Sequence, residues 1–174
     1  MFPLQFIGKL IKILHSGATP GQIAGGFILG MIIGLTPLFS LHNLLVVLVI
    51  ILLNVNIAVA IFSFAIFSGF AYLLDPLFHS FGYFLLVDLT FLHGIYTWLY
   101  NVPIIALTNF NNTVVMGSLV SSIILLIPVF ILVKKGVIQY RASVLQRMEK
   151  WKIVKAVKGT KVYEWYSKYA EWRS

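Results

Sequence analysis

The sequence predicts an all-α polytopic membrane protein with two full transmembrane helices and one or two re-entrant hairpins. An N-terminal interfacial helix and C-terminal basic amphipathic helices complete it. Three observations carry this reading. The chain is 60% hydrophobic with a mean hydropathy of +0.95, against about 45–50% apolar residues in soluble domains. No Asp, Glu, Lys or Arg lies between Lys12 and Asp75, a run that no soluble fold of this size needs. The charge is also segregated. Residues 1–133 balance Lys9 and Lys12 against Asp75 and Asp88, while residues 134–174 carry eleven Lys/Arg and three Glu, the whole of the net +8. The chain therefore reads as a membrane domain, 1–133, followed by a basic tail, 134–174, which the positive-inside rule places in the cytoplasm.

From the N-terminus, Phe2, Leu4 and Phe6 precede Lys9 and Lys12. A signal peptide has its charges before the apolar region, so Met1 to His15 reads as a retained interfacial helix on the cytoplasmic side. Thr19-Pro20-Gly21-Gln22 is a helix start: a threonine cap, a proline in the first turn and a glutamine three residues on to close a capping box. Gly26, Gly30 and Gly34 follow at four-residue spacing on one face, and Pro37 ends the run. Pro20 to Thr36 spans about 25 Å at 1.5 Å per residue, at the lower limit for a hydrocarbon core of about 30 Å. The next apolar run, Leu44 to Leu53, is shorter still. A hairpin of two half-spanning helices, its tip at Pro37, Ser40, His42 and Asn43 inside the membrane, fits these lengths.

After Asn54-Val55-Asn56, the apolar stretch Ile57 to Leu74 is long enough to span, and Asp75-Pro76 is expected to end it at the external face. Residues 77–107 contain His79, Ser80 and Gly82, then Tyr96, Trp98 and Tyr100, aromatics that settle at headgroup depth. A second re-entrant or interfacial hairpin is expected there. Thr108 to Thr113 is a polar loop, and Val114 to Val133 is the clearest span, stopped by Lys134-Lys135. In the tail, Val144, Leu145, Met148, Trp151, Val154 and Val157 recur at helical spacing. Beyond Gly159-Thr160, Val162, Trp165, Tyr166, Tyr169 and Trp172 form a second stripe. With Lys150 and Lys155 these aromatics make a surface suited to anionic lipid. Basic and aromatic residues interleaved also describe single-stranded nucleic-acid binders, but directly after a span the lipid bilayer and its anionic headgroups are the expected partner.

The hairpin carries a resemblance. Gly26-x3-Gly30-x3-Gly34-x2-Pro37, then His42 and, after a long apolar run, Asn56, is similar to a bacterial inner-membrane family catalogued as a domain of unknown function. That family has Gly-x3-Gly-x2-Pro, then Gly-x-Gln/His, then an Asn before a small-residue-rich helix. Gly30, Gly34, Pro37, His42 and Asn56 carry the match over about residues 20–75. Ser40 stands at the family's glycine, and a later Ser-Asn-Pro is absent, since Ser68 is followed by Gly69-Phe70. A subgroup of this size resembles proteins encoded beside AsmA-like envelope proteins of the lipid-bridge kind. The resemblance implies a membrane location and a partner, not a reaction.

Candidate residues each have two readings. Gly26, Gly30, Gly34 and Pro37 either pack helices closely, as small residues do where lipid removes the hydrophobic drive, or line a path. His42 and Asn43 either handle a headgroup or proton, or bond the hairpin's free backbone groups, which lipid leaves unsatisfied. Asp75 and His79, four apart, form a carboxylate–imidazole pair or stand as separate interfacial residues. Asn56 completes the set of substrate or pathway candidates. No metal-ligand spacing, nucleophile elbow or phosphate loop is present, and there is no cysteine. The chain is therefore expected to be no enzyme and to need no cofactor or metal. Two functions follow: a platform subunit for an envelope protein of lipid-transfer type, or a small transporter or scramblase, as a monomer or an oligomer, using the hairpin as its pathway.

Overall fold

A computed structural model describes the backbone of residues 17–159 and the side chains of 17–144. The expected N-terminal interfacial helix, the Val162–Trp172 stripe and the surface residues Lys150, Trp151, Lys155, Trp165, Tyr166, Tyr169 and Trp172 lie outside those described side chains. The described residues form helices and turns, with no strand among them. The chain divides into two compact units at Val137–Ile138, and the packing below is that of the first.

Helix α1, Pro20–Leu35, begins as its sequence dictates. The Thr19 hydroxyl accepts from the Gln22 N–H at 3.2 Å while the Gln22 side chain accepts from the Thr19 N–H at 2.7 Å, so two free donors of the first turn are satisfied. It ends because Pro37 bars the preceding residue from helical geometry, and Thr36 is extended at φ −99° and ψ 156°. Helix α2, Leu41–Leu52, runs back. The Asn56 N–H donates to the Gln22 carbonyl at 3.0 Å, which brings the end of the hairpin to its beginning.

Helix α3, Ile57–Tyr83, is capped by the Asn56 side chain, which accepts from the Val59 N–H at 3.1 Å. It does not stop at Asp75-Pro76 as the sequence suggested. It continues through Pro76 and finishes in a widened, π-type turn at Phe84–Asp88. The reason is tertiary. Phe78 and Gly82, beyond the proline, are buried, and that packing outweighs the lost backbone bond. The first arm expected of a second hairpin over 77–107 is therefore the end of α3. Its second arm is a 3₁₀ turn, Thr90–Leu92, helix α4, His93–Tyr100, and the single turn α5, Pro103–Ala106. The last helix, α6, covers Thr113–Gly159 and runs through both Pro128 and Lys134-Lys135. Two helical stretches, Ile57–Asp88 and Thr113–Val144, are long and apolar enough to cross a membrane, whereas α1 and α2 are too short.

The core is built around α1. At one end Ile23 packs with Val59 and Val137. In the middle Ile28, Leu29 and Ile32 meet Val46 and Ile50 of α2 and Leu126, Val129 and Phe130 of α6. At the other end Met31 and Leu35 meet Phe78, Phe67 and Val114. Helix α1 is thus walled in by α2, α3 and α6, and the outward faces carry exposed Leu44, Leu48, Ile51, Ile61, Leu73 and Ile127. An apolar exterior of this extent is a surface for lipid or for protein, not for water.

Candidate functional site

The α1–α2 tip is held by a compact set of bonds. The Thr36 hydroxyl lies 2.8 Å from both the Ile32 carbonyl and the Asn43 side-chain carbonyl, and the Asn43 amide donates to the Pro37 carbonyl at 2.9 Å. Thr36 and Asn43 are buried. Asn43 therefore satisfies a carbonyl that the proline-broken helix leaves free. His42, buried beside it, contacts the Ser40 hydroxyl through Nε2 at 2.8 Å, while its Nδ1 has no hydrogen-bond partner. Asn56 lies at the opposite end of the hairpin, as the cap of α3.

Beside the tip is a cavity of about 380 Å³ between α1, α3 and the start of α6. Its walls include Leu35, Leu38, Phe64 and Val114, and its polar groups are those of Thr36, Ser68, Tyr72 and Asp75. Asp75 has no hydrogen-bond or ion-pair partner among the described residues. The anticipated Asp75–His79 pair is not formed: His79 Nδ1 lies 2.7 Å from the Thr113 hydroxyl on α6. The crossing of α3 and α6 at this level brings Thr113 closer to the imidazole than the carboxylate one turn away. Asn43 braces the tip from the α2 side with His42 packed beside it, Asp75 lines the cavity, and His79 ties α3 to α6.

The glycine face of α1 is occupied by α3. A Cβ at Gly26 would strike the Asn56 carbonyl, one at Gly30 the Ala60 carbonyl, and one at Gly34 would lie 2.8 Å from the Phe64 carbonyl oxygen. Ser63, fully buried in the same seam, donates its hydroxyl to the Phe27 carbonyl at 2.6 Å. Of the small residues of α3, Ala60 and Ser68 face the stripe, whereas Ala58 and Ala65 are exposed. Pro37 serves as the helix stop and lines the cavity.

Sequence reasoning passed over a second seam. Gly82 of α3 and Gly117 of α6 meet backbone to backbone next to the His79–Thr113 bond. The available signal was one glycine of two or more in each helix, Gly82 with Gly69 on α3 and Gly117 with Gly136 on α6, at spacings that identify no partner. Outside the helices, α4 folds back on the widened turn. The Tyr96 hydroxyl donates to the Leu85 carbonyl at 3.2 Å, and His93 Nε2 is 3.2 Å from the Val87 carbonyl. Burial raises the pKa of the Tyr96 hydroxyl and keeps it a donor. No group of three His, Cys, Asp or Glu suited to a metal ion occurs among the described residues.

A central capped helix wrapped by a return helix and two helices of membrane-crossing length defines a small all-helical protein of membrane-associated type. The chain belongs to the family described as an uncharacterized protein conserved in bacteria (DUF2062), whose model matches residues 5–146. That match extends well beyond the hairpin that first suggested it. An uncharacterized protein of Treponema pallidum (strain Nichols) is 28% identical over 138 residues, covering 79% of this chain and 85% of the relative. No solved structure matches the chain significantly.

Proposed function

We propose that the protein is a multi-pass subunit of the bacterial inner membrane, with both termini cytoplasmic, that serves as a platform for an envelope protein of the lipid-transfer kind. In this arrangement α3 and α6 cross the bilayer and α1–α2 enters and returns. Counted from Ile57 at about 1.5 Å per residue, the level of the tip, Ser68 to Asp75, lies about 17–27 Å along α3, within a hydrocarbon core of about 30 Å. Lipid would leave the broken end of α1 unsatisfied there, and the Thr36–Asn43–Pro37 bonds answer that need. The single observation favouring a platform over a conduit is the α1–α3 seam. The glycine face that a pathway would use is filled by the α3 backbone at Asn56, Ala60 and Phe64. The resemblance to a subgroup found beside AsmA-like proteins supplies the kind of partner, and the basic tail supplies contact with anionic lipid.

The cavity at the tip favours the second reading, a small transporter or scramblase. One pair of experiments separates the two. Gentle solubilisation and capture of the full chain from native membranes should bring down one large envelope protein in stoichiometric yield. Purified protein alone in liposomes should move neither labelled lipid nor small solutes. Lipid movement by the protein alone would replace the platform reading with the transporter one.

A further inference from the structure

The cavity at the hairpin tip has a chemistry that the platform role does not use. Its walls are hydrocarbon, and among its polar groups only Asp75 carries a formal charge. Asp75 is half-buried and has no partner among the described residues. No Lys or Arg occurs between Lys12 and Lys134, and the imidazole one turn away, His79, bonds Thr113 and not Asp75. A carboxylate in so apolar a setting is costly without a cation. We propose that this cavity is a binding site for an amphiphile bearing a primary ammonium group, its nitrogen on Asp75 and its hydrocarbon against Leu35, Leu38, Phe64 and Val114.

Three features narrow the ligand class. A bare divalent ion such as calcium takes six to eight oxygen ligands. This cavity offers one carboxylate and the hydroxyls of Ser68 and Thr36, of which Thr36 is already engaged with Ile32 and Asn43, while Tyr72 at its rim is exposed. A primary ammonium needs about three acceptors and forms short, charge-assisted bonds with a carboxylate. The two carboxylate oxygens of Asp75 with the Ser68 hydroxyl supply that number. The volume, about 380 Å³, lies within the range of small-molecule pockets, about 300–1,000 Å³, and exceeds what a lone ammonium head fills. The remaining space is apolar and calls for a chain. Selection should therefore run against a quaternary ammonium, which has the charge but no N–H to donate, and against an anionic headgroup, which Asp75 repels.

The ammonium can come from a lipid headgroup of the ethanolamine type or from a free alkylamine. The test is native mass spectrometry of the full chain, delipidated in maltoside detergent. One arm offers equal amounts of phosphatidylethanolamine, phosphatidylcholine and phosphatidylglycerol, and a second offers dodecylamine below its micellar concentration. The expected result is at least fivefold more phosphatidylethanolamine adduct than either other lipid, with the excess lost in Asp75→Asn. Retention of dodecylamine without lipid discrimination assigns the site to free amines. Ala71→Trp, which fills the cavity and leaves the carboxylate in place, should lose the same adducts and carries the test if Asp75→Asn does not fold. Equal retention of the three lipids with no dodecylamine bound, or undiminished adducts in both variants, overturns the proposal. This inference does not depend on the envelope partner, since the adducts form on the isolated protein.

Discussion

Gly82 and Gly117 sit face to face where α3 crosses α6. A Cβ on Gly82 would lie 3.0 Å from the Gly117 nitrogen, and one on Gly117 2.9 Å from the Gly82 nitrogen, with the Thr113 and Phe78 carbonyls closer still. The obstruction is backbone on both sides and cannot rotate away. With the α1–α3 seam this makes two places where the helices meet without intervening side chains, one on each half of α3.

Gly30→Ala, Gly82→Ala and Gly117→Ala should each lower the melting temperature in detergent, because even one methyl meets a carbonyl. Overpacking of this kind costs about 1–3 kcal/mol, more than the roughly 1 kcal/mol that alanine regains in helix propensity. The corresponding leucine variants should fail to assemble. Gly69→Ala is the control: nothing lies within 4 Å of its added Cβ, so the melting temperature should hold or rise. Equal behaviour of Gly69→Ala and Gly30→Ala would show that the seams are not tight.

Loss of the tip brace should be felt as stability. Asn43→Ala removes the donor to the Pro37 carbonyl and should cost about 1–3 kcal/mol, the penalty of a buried acceptor left without a partner. His42→Ala removes only the Ser40 contact and a ring whose Nδ1 bonds nothing, so it should unfold at nearly the wild-type temperature. A large loss of function at unchanged melting temperature in His42→Ala would mark the imidazole as a working group instead of a filler.

Much of this architecture was legible beforehand, and the failures have a common cause. The α1 start was written in Thr19, Pro20 and Gln22 and its end in Pro37, because caps and prolines act on their immediate neighbours. Asp75-Pro76 carried the same local stop signal and was overruled, since Phe78 packs with Met31 and Leu35 of α1 and Gly82 meets Gly117 of α6, each more than thirty residues away. The His79–Thr113 bond was hidden for the same reason. Helical spacing pairs His79 with Asp75, and only the α3–α6 crossing reveals the nearer hydroxyl. At the cavity, Asp75 was named from sequence as a candidate, either paired with His79 or separate from it. Its company with Thr36, Ser68 and Tyr72 depends on how deep the hairpin reaches along α3.

Orientation is open to direct measurement. Single cysteines placed by Asn112→Cys and Ser174→Cys, in a chain with no cysteine of its own, should differ toward an impermeant thiol reagent on intact spheroplasts. Position 112 should label and position 174 should be protected until the membrane is opened. The reverse pattern would invert the topology proposed above.

The tail should behave as a surface binder. A peptide covering residues 141–174 is expected to bind vesicles containing anionic lipid and to lose at least tenfold in affinity between low and physiological salt, as screening weakens the attraction of its lysines. Salt-independent binding, or equal binding to neutral vesicles, would assign the aromatic stripe to packing on protein.

The central position of α1 also imposes an order on biogenesis. The helix that α2, α3 and α6 surround precedes all three in the chain, and the wall supplied by α6 begins about eighty residues later. At roughly 5–20 residues per second that is a wait on the order of ten seconds. During that interval the Ile28–Leu29–Ile32 face has only α2 and α3 against it, and the hairpin is too short to hold a transmembrane position by length. In the inner-membrane arrangement proposed above, the nascent chain would need shelter from the insertion machinery until Val114 to Val137 arrives and closes the bundle.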